Sequence, residues 1–402
     1  MPHPAVELAR WATTLAPTPQ DLALADRSLL DVLAVAVAAR EHPIVPVVEE
    51  LSEPARWATL GHVLDFDDLH MESTTHISVV CVPAALAVGG DARAYLAGAG
   101  VMARLGTALG WPHYSAGWHA TCTAGAPAAA VAASVALGLD AEATARAMAL
   151  ALPAAGGVQR AFGTHAKSLQ VGFAADAGVR AARLAAAGAS ADPTALDQWL
   201  ALVGGDPARL DLSGPAVPGG LAVKVHPCCY AMQRPIAAVR ETGLAARDVV
   251  RVRLRTPAGT VQPLIHSHPT TGLEGKFSLE YAVAAALLDS FPGFASFEDE
   301  AVRRPEAVRL AEAVEVELTD GGDWLLAGTC EVELDLRDGS TVRTVLEVPP
   351  GAPGRPPSGP EMAAKVRDCA GPLAEEVLAA TWADAAGLLR ARLAPRTPAR
   401  VG

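Results

Sequence analysis

From Leu8 to about Ala187 the chain is built of Ala, Leu and Val at helical spacing, punctuated by Gly and Pro, which predicts a set of packed helices. Stretches such as DLALADRSLLDVLAVAVAAR, PAAAVAASVALGLDAEATARAMALAL and QVGFAADAGVRAARLAAAG carry small residues that let neighbouring helices approach closely. After Lys224 the period changes. DVVRVRLRTP, AVEVELTD and TCEVELDLRDGSTVRTVLEV alternate apolar and polar positions as half-buried strands do, and Asp338-Gly339 signals a hairpin that needs positive φ. A helical pattern, SLEYAVAAALLDSF, separates the first two strands, so this region reads as α+β. The run PPGAPGRPPSGP, residues 349 to 360, predicts a linker that is neither helix nor central strand, and helix returns in EMAAKVRDCAGPLAEEVLAATWADAAGLLRARL. The expected fold is mostly α. Residues 1–223 form the first part of a large helical domain, 224–349 form a smaller inserted α+β domain, and 350–402 form a linker and C-terminal helices that rejoin the helical domain.

Composition narrows the function classes. At 402 residues and 51% hydrophobic content, with mean hydropathy +0.25, the chain can bury a large core. A net charge of -12 offers no basic face for nucleic acid or anionic lipid. The apolar runs are cut by Arg, Asp, Gly and Pro before reaching the roughly 20 residues of a membrane span. MPHPAVELARWATTLAP lacks a basic segment leading into a long apolar one, so no secretory signal is expected. Six cysteines, with Cys228 and Cys229 adjacent, suggest neither a disulfide framework nor a paired zinc motif, and a cytoplasmic setting is expected.

Five pieces carry candidate chemistry. In GHVLDFDDLHMESTTHISVV, Asp65, Asp67 and Asp68 precede His70 and His76. Carboxylate and imidazole suit zinc or iron, although the spacing matches no standard motif, and a helix start would also favour acids. GWHATCTAGAPAAAVAA places His119 just before a helix, as a structural residue or at an anion site. Lys167, Lys224, Lys276 and Lys365 are the only lysines in the chain. Lys167 opens a helix with a small apolar face, which suits a carboxylate-binding ammonium or, more plainly, a solvated side chain. In KVHPCCYAMQRP, Pro227 holds His226 extended, and the two cysteines read as buried and structural. HSHPTTGLEGKFSLEYAVAAALLD joins His266, His268, Lys276 and Tyr281, with Ser278 as N-cap and Tyr281 in the first turn, placed to donate to a substrate or to pack. The phosphate-loop, dinucleotide and nucleophile-elbow motifs are all missing from the sequence.

Taken in order, these pieces resemble the MmgE/PrpD family, which includes 2-methylcitrate dehydratase, cis-aconitate decarboxylase and iminodisuccinate epimerase. GHVLDFDDLH...HIS resembles H-A-L-D-F-D-D-T-H...H-P-S, GWHATCTAG resembles G-[FW]-H-x-T-x-x-x-G, and GTHAKSLQVGFAA resembles K-x-L-H-x-G-x-A-A. KVHPCC, the Phe277 to Tyr281 segment and the Pro/Gly linker match three further family patterns. The resemblance implies an α+β lid on the helical domain, a homodimer, and a site between the domains that acts on small anionic polycarboxylates without metal or organic cofactor. It assigns Asp65, His76, His119, Lys167 and Tyr281 to catalysis. His76 or His119 would be the general acid or base, Asp65 would orient an imidazole, Lys167 would hold a substrate carboxylate and Tyr281 would donate. His70, Lys224, Gln233 and Lys276 are the accompanying substrate-binding candidates. The expected reaction is a 2-methylcitrate dehydratase-like elimination of water. Decarboxylation and epimerisation draw on the same groups, and a non-catalytic carboxylate-binding relative is the alternative of another class. Leu69, Ile77, Gln170, His226 and Gln233 depart from the family patterns, and the segment between Ala39 and Gly61 is short for the family. These changes point to a substrate or reaction unlike those of the best-known members.

Overall fold

The computed structural model describes residues 3–394 apart from 290, 321, 323 and 326. The chain forms two compact units, one of Met1–Val158, Ser168–Leu221 and Ser358–Gly402, the other of Gln159–Lys167 and Ala222–Pro357. The protein is mostly α-helical with a small α+β part.

In the first unit, polar caps start the helices where the sequence leaves its apolar runs. Thr18 and Asp21 form a capping box on Pro19–Ala38, and Asp91 and Asp140 cap Ala92–Ser115 and Ala141–Ala151. Ala120–Ala136 is buried almost throughout and packs against Ala92–Ser115, Ala141–Ala151 and Ser78–Leu86, which Ala-rich faces permit. The helix Gly359–Ala370 packs on Pro19–Ala38. It begins two residues inside the expected 349–360 linker, because Ser358 accepts from Glu361 in a second capping box and Pro360 sits in the first turn, where a missing N–H costs nothing. No helix among the described residues is long and apolar enough to cross a membrane.

The second unit holds a four-stranded sheet in the order β2-β1-β3-β4, with β1 Val249–Pro257, β2 Val314–Thr319, β3 Cys330–Leu336 and β4 Thr341–Leu346. Strands β1 and β2 are parallel, so the chain between them must cross over, and it does so through helices that include Leu279–Leu288 and Pro305–Glu312. The remaining pairs are antiparallel. Val252 and Leu254 of β1 are buried with Val332 and Leu334 of β3, and the alternate positions Arg251, Arg253 and Arg255 pair across strands with Glu315, Asp335 and Glu331. In the hairpin between β3 and β4, Gly339 takes φ 84°, while Asp338 stays out of the left-handed region and accepts from Ser340 N at 2.9 Å.

Candidate active site

The acidic stretch does not form a helix. Helix Glu53–Val63 carries His62 in its last turn, and the chain then leaves it through Asp65, whose φ of 52° lies in the left-handed region that Asp tolerates better than most residues. Residues 64–77 form a folded-back segment that returns at the start of Ser78–Leu86. The helix-start role falls to Asp68 alone, which accepts from Ser78 N at 3.3 Å and from the Ser78 hydroxyl. His76 is tied in by its own N–H, which donates to Thr121 Oγ1 at 3.0 Å.

This reversal gathers a buried cluster. Asp67 Oδ2 lies 2.9 Å from His62 Nδ1 and 3.0 Å from His76 Nδ1. The two imidazoles meet edge-on at 4.6 Å, and the His119 ring stacks on His62 at 6.0 Å. Burial alone would raise the Asp67 carboxyl, but the charges and hydrogen bonds of His62 and His76 hold it well below the usual carboxylate range. An ionised carboxylate only accepts, so both Nδ1 atoms carry protons and, in a neutral ring, Nε2 is the basic end. Asp67 is thus a carboxylate set against both rings. Asp65 belongs to the same cluster, in which one donor atom from each of His62, Asp65, Asp67 and His76 lies within 4.8 Å of the others. That spacing suits a divalent ion. Binding one through the Nδ1 atoms would displace the protons that face Asp67.

His119 is the N-cap residue of Ala120–Ala136, and its N–H donates to Gly157 O at 2.9 Å. Its Nδ1 is met by Gln170 Nε2 at 2.7 Å and by Cys122 Sγ at 3.3 Å. His70 is engaged differently. Ser73 Oγ and Pro218 O each lie 2.7 Å from one of its ring nitrogens, and burial lowers its pKa, so both polar ends of this expected substrate ligand serve the protein.

The second unit holds the other expected residues. Lys167 is buried rather than solvated, with Nζ 5.3 Å from the Phe162 ring centre and 5.2 Å from that of Phe277. Lys224 is fully buried, and Lys276 donates to Pro227 O. Gln233 is occupied by backbone: its Oε1 accepts from Val225 N at 3.0 Å and His226 N at 2.9 Å, and its Nε2 donates to His226 O at 2.9 Å. It therefore clamps the segment around Lys224 and is not aimed at a ligand. Tyr281 stands in the first turn after the Ser278 cap, as expected, and donates to Ser296 O; burial pushes its hydroxyl up to about 12. Cys228 and Cys229 are buried thiols, neither of them joined in a disulfide.

The sequence marks Asp67 only as one of three acids, with no role of its own, and does not single out His62. No spacing rule joins positions 62, 67 and 76, because the reversal at Asp65 creates their proximity.

Asp68 yields a test of this electrostatic setting. Burial first, then the nearby Asp31 carboxylate, push its carboxyl up to about 7. A raised acid binds more protons folded than unfolded between the ordinary value near 3.8 and 7, so stability falls as pH rises through that window. Asp68→Asn is expected to raise the thermal midpoint at pH 8 by several degrees and to flatten the decline between about pH 4 and pH 7. Melting curves at a series of pH values check this. An unchanged slope would show that Asp68 stays ionised throughout.

The comparisons agree with the geometry. The MmgE/PrpD N-terminal domain matches residues 55–200, and the MmgE/PrpD C-terminal domain matches residues 226–390. A search of curated proteins finds no match. The first match spans the whole cluster from His62 to Gln170 and the second takes in Tyr281 and the sheet, so that together they cover most of the chain, and this protein belongs to the MmgE/PrpD family.

Proposed function

We propose that the protein is a cofactor-independent lyase acting on a small di- or tricarboxylate, specifically a hydro-lyase for a hydroxy-polycarboxylate of the 2-methylcitrate type. The observation that carries this reading is the buried His62–Asp67–His76 set, which supplies basic imidazole nitrogens backed by an ionised carboxylate. In the proposed step, His76 Nε2 takes the proton on the carbon next to a substrate carboxylate. The electron pair moves onto that carboxylate and returns to form the double bond, as the neighbouring C–O bond breaks and the hydroxyl leaves as water. Lys167 is assigned to hold a substrate carboxylate and Tyr281 to protonate the leaving group, as the family resemblance implies. The Tyr281 hydroxyl is protonated at neutral pH and would have to turn from Ser296 O to donate. The homodimer and the cytoplasmic setting belong to the same proposal.

Proton NMR in D2O of the chelator-treated protein with 2-methylcitrate, citrate, cis-aconitate and related dicarboxylates tests it. Deuterium entry with alkene formation is expected for at least one acid and is expected to vanish in His76→Ala. Loss of carbon dioxide or inversion without alkene would replace the hydro-lyase reading by a decarboxylase or an epimerase. Binding without any exchange would overturn catalysis altogether.

A further inference from the structure

Gln170 stands where the family pattern K-x-L-H carries His, and its surroundings give that change a chemical meaning. The orientation of its amide is set by backbone. Val158 N donates to Gln170 Oε1 at 3.1 Å, and Val158 O accepts from Gln170 Nε2 at 3.3 Å. Reversing the amide would set N–H against N–H and carbonyl against carbonyl. The residue before Val158 keeps this segment close: a Cβ on Gly157 would lie 2.7 Å from Cys122 Cβ and 3.2 Å from Gln170 Cδ. With the amide so fixed, its N–H points at His119 Nδ1 from 2.7 Å, and the Cys122 thiol reaches the same nitrogen at 3.3 Å. A nitrogen that accepts from an amide N–H carries no proton. The neutral His119 ring must therefore hold its proton on Nε2.

We infer that Gln170 is a positioning residue that locks His119 as a neutral Nε2–H donor, so that His119 stabilises negative charge developing on the substrate and neither takes nor gives a proton. This deepens the lyase reading above and rests on it. To act as a base, His119 would have to accept a proton at Nδ1, which would drive it against the amide N–H; to act as an acid, it would have to become an imidazolate. Glutamine cannot titrate, so the lock holds across the physiological pH range, whereas a histidine at this position could change state. The titratable groups around the ring are His62, stacked at 6.0 Å, Asp67 behind His62, Cys122 on the same helix, and His113, which reaches Thr123 at 3.1 Å. None stands between the amide and Nδ1 in these contacts. The division of labour that follows gives the proton to the His62–Asp67–His76 set and the charge stabilisation to His119.

The test uses the full chain labelled with 15N-histidine, with the His119 signals identified by their loss in His119→Gln. Nδ1 is expected to stay unprotonated and Nε2 protonated from about pH 6 to about pH 8. A proton on Nδ1, or a charged ring within that range, overturns the inference. Gln170→Glu supplies an acceptor instead of a donor and is expected to move the proton to Nδ1 and to lower turnover about 10²-fold. His119→Gln keeps an N–H donor and should retain at least about 10-fold more turnover than His119→Ala. Equal loss in these two variants would return His119 to proton transfer and sink the assigned role. If the Nε2–H state is found but no acid in the panel exchanges, the tautomer assignment is upheld and it is the lyase reading, with the role built on it, that falls.

Discussion

Asp67→Asn is expected to lower turnover about 10³-fold while the protein stays folded. One Asp67 carboxylate oxygen is hydrogen-bonded to His62 Nδ1 at 2.9 Å and lies 3.0 Å from His76 Nδ1, so its charge faces both rings. Asparagine keeps an oxygen that can still face both rings but carries no charge, and its NH2 would meet the His62 Nδ1–H that now lies 3.0 Å from Oδ1. The imidazoles then lose the negative charge that supports their basicity. The loss should appear in the rate of deuterium entry into the acid that the D2O panel identifies, with binding of that acid changed little. A melting series provides the control. The depressed Asp67 carboxyl contributes stability that is present above its ordinary value of 3.8 and is lost only as pH falls through its lower folded value, so the variant should lack that acid-side loss. A decline in turnover of less than about 10-fold would remove Asp67 from the mechanism and reopen the orienting role for Asp65.

Much of the fold is legible in the sequence because two physical signals are strong here. Small residues at helical spacing require close-packed helices, and the alternation in DVVRVRLRTP requires one buried and one solvated face, seen as Val252 and Leu254 inward against the arginines outward. The site is legible only in part. Its residue types stand out, but which of Asp65, Asp67 and Asp68 turns toward His62 and His76 depends on a folded-back segment with two left-handed residues, Asp65 and Thr74. Lys167 looks like a solvated side chain because its neighbours in sequence are polar or small. The rings that flank it come from Phe162, five positions earlier, and from Phe277, far along the chain. Gln170 and Gln233 show the same limit. Each is visible as a departure from a family pattern, yet only the structure separates them: one amide is turned onto a catalytic candidate and the other onto the backbone of residues 225 to 228.

Lys365→Met is expected to cost roughly 3–5 kcal/mol in denaturant unfolding and to reduce turnover as well. Lys365 Nζ lies 2.6 Å from Asp31 Oδ1, donates to Phe66 O at 2.8 Å and sits 3.9 Å from the centre of the Phe66 ring. The Lys365 side chain is 8% exposed and that of Asp31 not at all, so removing the ammonium leaves a carboxylate desolvated and facing the charge of Asp67, with a hydrogen bond from the Asp68 backbone to support it. Burial already pushes the Asp31 carboxyl up, with Lys365 opposing that rise, and without the lysine Asp31 must take a proton to remain inside. Replacing both partners separates the buried-charge cost from lost packing: Lys365→Met with Asp31→Leu should recover more than half of the single-variant loss, since an apolar pair of similar volume needs no compensation. A single-variant cost below about 1 kcal/mol would mean that water reaches the pair. The functional consequence follows from the second contact. Phe66 lies between Asp65 and Asp67, so helix Gly359–Ala370, reaching back 299 positions along the chain, pins the turn that aims Asp67 at both imidazoles. The double variant restores the charge balance without restoring the bond to Phe66 O, and its turnover should therefore stay low even where its stability recovers.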